Sequence, residues 1–181
     1  MMHERNEKEL MKVIEDLSKE EHGMSGTVRS KLFDKNLEVW IEEDVSVEYV
    51  NLCAKSLSSI DDNLIEDICK AAITYSEDFC EMVGQVPPKI EKMRDILQYV
   101  EFGSMLVDEP EDNSVPVVHL IGGCEWEPEH GIEVIIRNGE LIYLGAYNGE
   151  WAWGELEHYE EDYNYAFVVK QSVEIEKENL D

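Results

Sequence analysis

The chain has 181 residues, is 43% hydrophobic, and carries a formal net charge of −27 from 42 Asp+Glu against 15 Lys+Arg. The apolar share is enough for a folded core and excludes a globally disordered chain. The charge excludes nucleic acid and anionic membrane as natural ligands, because both require Lys and Arg to displace counterions, and it favours a basic protein partner.

The imbalance is concentrated in the second half. Residues 101–181 hold three cations, Arg137, Lys170 and Lys177, and a net charge of −17. Cys53, Cys69, Cys80 and Cys124 show no C-x-x-C spacing, so a zinc ribbon or redox motif is not expected; three of them fall on apolar helical faces and read as small hydrophobes, and a reduced, cytoplasmic setting is the default. The start, Met1-Met-His-Glu-Arg-Asn-Glu-Lys8, resembles no signal peptide, and no apolar run reaches bilayer length.

In chain order, residues 4–21 place Leu10, Val13, Ile14 and Leu17 on one stripe, with Glu4–Lys8 and Glu15–Lys19 as i,i+4 pairs, which predicts an amphipathic helical arm over residues 1–22. Thr27–Phe33 and Leu37–Glu43 form an expected hairpin around Asp34-Lys-Asn36, with Leu37, Val39 and Ile41 alternating against Glu38, Trp40 and Glu42. A helix follows over 46–58 with Ser46 as its cap. A longer one runs from about Asn63 to Val83, with Leu64, Ile68, Ala72, Tyr75, Phe79 and Met82 inward, ending at Gly84. Pro87-Pro88 starts a short third helix over 88–98.

From Tyr99 the pattern changes to strands: 100–107, 115–121, 132–137 and 140–144, with Gly122-Gly123 allowing a bend or bulge and Asn138-Gly139 a two-residue hairpin. The near-continuous apolar runs around Asn138-Gly139 place that hairpin centrally. Residues 155–181 read as an acidic tail in which 166–169 could pair as a strand. Helices in one block and strands in another imply an α+β fold, an antiparallel sheet packed by the N-terminal and central helices.

Two clusters could carry function. Glu125, Glu127 and Glu129 share one side of an extended segment and could hold Ca²⁺ or Mg²⁺; adding His119, His130 or His158 would suit Zn²⁺ or Mn²⁺. The spacing matches no established metal motif, and the same residues could instead bind backbone donors in a tight turn ending at Gly131, over a buried Trp126. The second cluster is aromatic. Tyr147, Trp151 and Trp153 lie among acids, and Tyr and Trp anchor protein interfaces at small entropic cost. No nucleophile elbow, P-loop or dinucleotide fingerprint is present, so no catalytic residue and no cofactor are assigned.

The segment Cys124-Glu-Trp-Glu-Pro-Glu-His-Gly131, with its following hairpin to Gly145, resembles an uncharacterised bacterial family with a C-x-W-x-x-E-H-G signature. The helix around Leu64-Ile-Glu-Asp-Ile-Cys-Lys-Ala-Ala72 and the pair Trp153-Gly154 are similar as well. The resemblance implies an immunity-like protein with no assigned activity, and marks Trp126, Glu129, His130 and Gly131 as signature positions. Two functions therefore stand as expectations: a protein-binding, toxin-neutralising domain, and alternatively a metal-binding or metal-dependent hydrolytic one.

Overall fold

The computed structural model describes residues 13–30, 32–155, 159, 163–168, 170 and 171. Seven strands form one sheet in sequence order: β1 (Ile14–Glu20), β2 (Gly23–Ser30), β3 (Lys35–Ile41), β4 (Val100–Val107), β5 (Val117–Cys124), β6 (Ile132–Arg137) and β7 (Glu140–Gly145). All neighbours are antiparallel except β3 and β4, which are parallel. A parallel pair cannot be joined by a tight turn. The crossover carries the helical block: α1 (Val47–Ser58), α2 (Asp62–Val83) and a 3-10 helix (Met93–Tyr99). The fold is therefore α+β, with the helices between two runs of strands.

The helices form where capping and periodicity agree. Ser46 accepts a hydrogen bond from the Tyr49 amide at 3.2 Å, and Asp61 accepts one from Leu64 at 2.9 Å. Gly84, at φ 71°, closes α2 in the left-handed conformation. Ile68, Cys69, Ala72 and Tyr75 are buried on α2, whereas Met82 is exposed.

Register sorts the sheet into two faces. Leu37, Val39 and Ile41 face the helices with Met105, Val107, Val118 and Leu120. On the opposite face Trp40 lies beside Leu106, Leu106 beside His119, His119 beside Ile135, and Ile135 beside Tyr143. Among the described residues no helix covers this face, which carries the candidate site.

Four expectations are corrected. Ile14–Glu20 is a strand, not part of a helical arm; the expected residues 4–12 lie outside those described. The helix-like spacing of Ile14 and Leu17 has another cause, a β-bulge. Ile14 pairs with Val28 and Ser18 with Ser25, so β1 carries one extra residue, and Asp16 there takes φ 53°. The third helix begins later, at Met93, and is 3-10. Residues 165–168 form a helical turn rather than a strand. The β6–β7 hairpin lies at the end of the sheet rather than at its centre. It is apolar because both faces are covered, by α2 on one and by the chain after Gly145 on the other. Its turn is as expected, with Asn138 at φ 53° and Gly139 at φ 79°.

Candidate functional site

The Glu/His motif forms a hydrogen-bonded turn. Glu127 is buried, and its carboxylate accepts from the backbone amides of Glu129 at 3.1 Å and His130 at 2.8 Å and lies 3.1 Å from His130 Nδ1. Gly131 donates its amide to the Glu127 carbonyl at 3.0 Å and takes φ 73°. A Cβ on Gly131 would lie 2.2 Å from the Gly122 carbonyl oxygen, so this turn folds back against the end of β5 where only hydrogen fits. Trp126 is buried beneath it, edge-on to Tyr75 of α2 with ring centroids 5.6 Å apart, and the Tyr75 hydroxyl donates to the Gly131 carbonyl at 3.2 Å. Trp126 thus serves the core and presents no binding surface.

Glu127, Glu129 and His130 can each bring one ligand atom within 4.8 Å of the others; Glu125 is not in that group, and His158 lies outside the described residues. Cys124 is buried with its thiol 3.6 Å from the Glu127 carbonyl. Burial first, and the Glu127 charge after it, push the thiol up to about 12, which disfavours the thiolate.

A different constellation lies on the helix-free face. His119 of β5 has a side chain only 4% exposed, and its Nε2 lies 2.6 Å from Oε1 of Glu133, which is fully buried on β6. Glu133 also accepts the amides of Asn148 at 3.0 Å, Gly149 at 3.2 Å and Glu150 at 3.1 Å. Four residues further along the same strand face, Arg137 donates to the carbonyls of Ala152 at 3.2 Å and Gly154 at 2.9 Å. Two charged side chains of one strand therefore pin the loop after β7 across the sheet. On its other side His119 Nδ1 lies 3.6 Å from Asp108, an ion-pair distance longer than a hydrogen bond. Burial opposes the imidazolium, but Asp108 and Glu133 together outweigh it and hold the group at about 9, so His119 is a cation at neutral pH.

Above this chain opens a cleft of about 570 Å³, walled by Glu42, Asp108, Glu109 and Glu111 on one side and by Tyr147 and Trp151 on the other. A second hollow of about 340 Å³ shares Glu42, Leu106 and Asp108 with it and continues past Trp40 to Glu20 and Glu21. Together they make one groove across the sheet. Trp40, Tyr147 and Trp151 are 43%, 45% and 55% exposed, whereas Trp153 is 9% exposed and packs inward. Of the aromatic residues expected to bind, Tyr147 and Trp151 thus line the groove and Trp153 closes the core.

A family model for a domain of unknown function, DUF6985, matches residues 13–151. The chain belongs to that family. No curated protein and no solved structure matches it. The DUF6985 match opens at β1 and closes at Trp151, so it contains the whole sheet and both walls of the cleft.

Sequence reasoning missed Glu133, Asp108 and the groove. Glu133 did leave a signal. A lone carboxylate in Ile132-Glu-Val-Ile-Ile136, an otherwise apolar strand, is costly to bury unless donors are waiting for it. Asp108, Glu109 and Glu111 left no such signal, because the parallel β3–β4 pairing that brings Glu42 beside them is not a local property of the chain.

Proposed function

We propose that this chain is a non-enzymatic protein-binding domain whose acidic, aromatic groove takes a basic segment of another protein. The observation that carries this reading is the coincidence on one face of exposed Trp40, Tyr147 and Trp151 with Glu42, Asp108, Glu109 and Glu111. Aromatic anchors supply apolar contact area, while the charge selects the partner and speeds encounter. In its more specific form the partner is a basic toxin, neutralised by having its cationic surface covered. Four buried free thiols suit a reducing, cytoplasmic compartment.

The test compares two variants with the same charge removed. One carries Glu42→Gln, Asp108→Asn, Glu109→Gln and Glu111→Gln; the other carries Glu66→Gln, Glu77→Gln, Asp78→Asn and Glu81→Gln on the exposed side of α2. Titrated with a lysine-rich peptide, the groove variant is expected to lose about tenfold in affinity, and the helix variant much less. Equal losses would mean that only the overall field attracts the peptide.

The alternative reading is a metal centre on Glu125, Glu127, Glu129 and His130, and the proximity of the last three favours it. Against it, Glu127 already holds the turn. Mg²⁺, Mn²⁺, Zn²⁺ or Ca²⁺ raising the melting temperature of wild type but not of Glu129→Ala would bring this reading forward.

A further inference from the structure

We infer that the cleft between Asp108 and Trp151 is the anchor pocket for one arginine side chain of the bound basic segment, with a backbone carbonyl of that segment accepting from His119. This rests on the protein-binding reading above and adds the residue that the groove selects.

The chemistry of the walls favours a guanidinium. Glu42, Asp108, Glu109 and Glu111 provide carboxylates, and Tyr147 and Trp151 provide aromatic faces. A planar, weakly hydrated guanidinium can stack on an indole and pair with a carboxylate at once; a compact, strongly hydrated ammonium does this less well. The cleft volume of about 570 Å³ leaves room for the side chain and part of its backbone.

An independent observation points to a polypeptide rather than a bare cation. His119 Nδ1 is buried at the floor of the cleft and has no hydrogen-bond partner among the described residues, Asp108 standing off at 3.6 Å. An unsatisfied buried donor costs free energy until an acceptor arrives. When Asp108 turns towards a bound guanidinium, Nδ1 is uncovered and a peptide carbonyl can supply that acceptor, whereas a metal ion or a polyamine brings only positive charge.

The walls are fixed before anything binds. Glu42 accepts the Glu109 amide at 2.8 Å, and Asp112 accepts the Ser114 amide at 2.8 Å, which holds the acidic loop. His119 reaches the opposite wall through Glu133, which holds the amides of residues 148–150 next to Trp151. His119 is therefore a positioning residue for both walls as well as the donor. Preorganisation of this kind reduces the ordering cost of association.

The experiment is calorimetric titration of the full chain with a lysine-rich peptide bearing one central arginine, and with twins in which that residue is citrulline or lysine. Spermine serves as the carbonyl-free polycation. The arginine peptide is expected to bind roughly tenfold more tightly than the citrulline twin, and more tightly than the lysine twin and spermine. Asp108→Asn should remove most of that preference, and Trp151→Ala should reduce it roughly fivefold. Asp108 is half-buried and pairs with His119, so a thermal melt will show whether that variant is folded; Trp151, more than half exposed, tests the pocket without touching this pair. Equal binding of the arginine and citrulline peptides, or a preference untouched by both substitutions, overturns the arginine pocket and leaves the groove standing. Spermine binding as tightly as the arginine peptide overturns the carbonyl contact to His119. No binding of any of these peptides overturns the pocket and the groove reading together.

Discussion

Glu133 is the residue on which the helix-free face depends most. Its carboxylate is fully buried and satisfied by three amides and an imidazolium. Replacing it with alanine leaves the three amides without an acceptor and the His119 charge with only Asp108, at 3.6 Å, which is expected to cost about 3–5 kcal/mol, read as a fall in the urea midpoint. Glu127→Ala is expected to cost about 1–3 kcal/mol through the two amides it orphans, and divalent metal should restore none of it. His119 gives stability a pH dependence. Its folded-state value of about 9 lies above the ordinary 6.5, so its stabilisation is complete below about 6.5 and is lost as pH rises through 9. Chemical denaturation of wild type between pH 6.5 and 9 should show falling stability, and His119→Gln should flatten that slope. A slope unchanged in the variant would remove the buried imidazolium from the account.

The elements show what local sequence does and does not encode. Ser46, Asp61, Gly84 and Asn138-Gly139 act within a few residues of themselves, and the helices and the hairpin they bound are where the spacing predicts them. The first strand was misread because a bulge at Asp16 imitates a helical stripe, and because only pairing with β2 shows that residues 14–20 are extended. The end of the sheet was misread for a similar reason. The β7 edge is closed by Asn164, whose side chain accepts from the Leu144 amide at 3.2 Å and donates to the Ile142 carbonyl at 2.8 Å, as a neighbouring strand would. No propensity reports that contact over 20 residues. Asn164→Leu keeps much of the volume and removes both bonds, leaving the edge unpaired. The expected outcome is lower stability by about 1–3 kcal/mol and concentration-dependent aggregation in light scattering; a monomeric, fully stable variant would mean that other contacts close the edge.

At the scale of the whole molecule, charge and topology divide the work. The excess of carboxylates was legible from composition and already pointed to a basic partner. Which carboxylates act together was not, because Glu42 and Asp108 meet only through the parallel pairing of β3 with β4, across a crossover that contains every helix between them. The four tryptophans separate in the same way. Trp40 and Trp151 face the groove, while Trp126 and Trp153 are packed inside, a division that their sequence neighbours did not reveal. That division provides the most direct test of the groove as the binding surface. Nitrogen-15 spectra of the full chain, titrated with the lysine-rich peptide bearing one arginine, resolve the indole N–H of each tryptophan. The expected result is that the Trp40 and Trp151 signals move with peptide concentration while those of Trp126 and Trp153 stay in place. Binding that leaves Trp40 and Trp151 unmoved would put the partner elsewhere on the molecule and contradict the account.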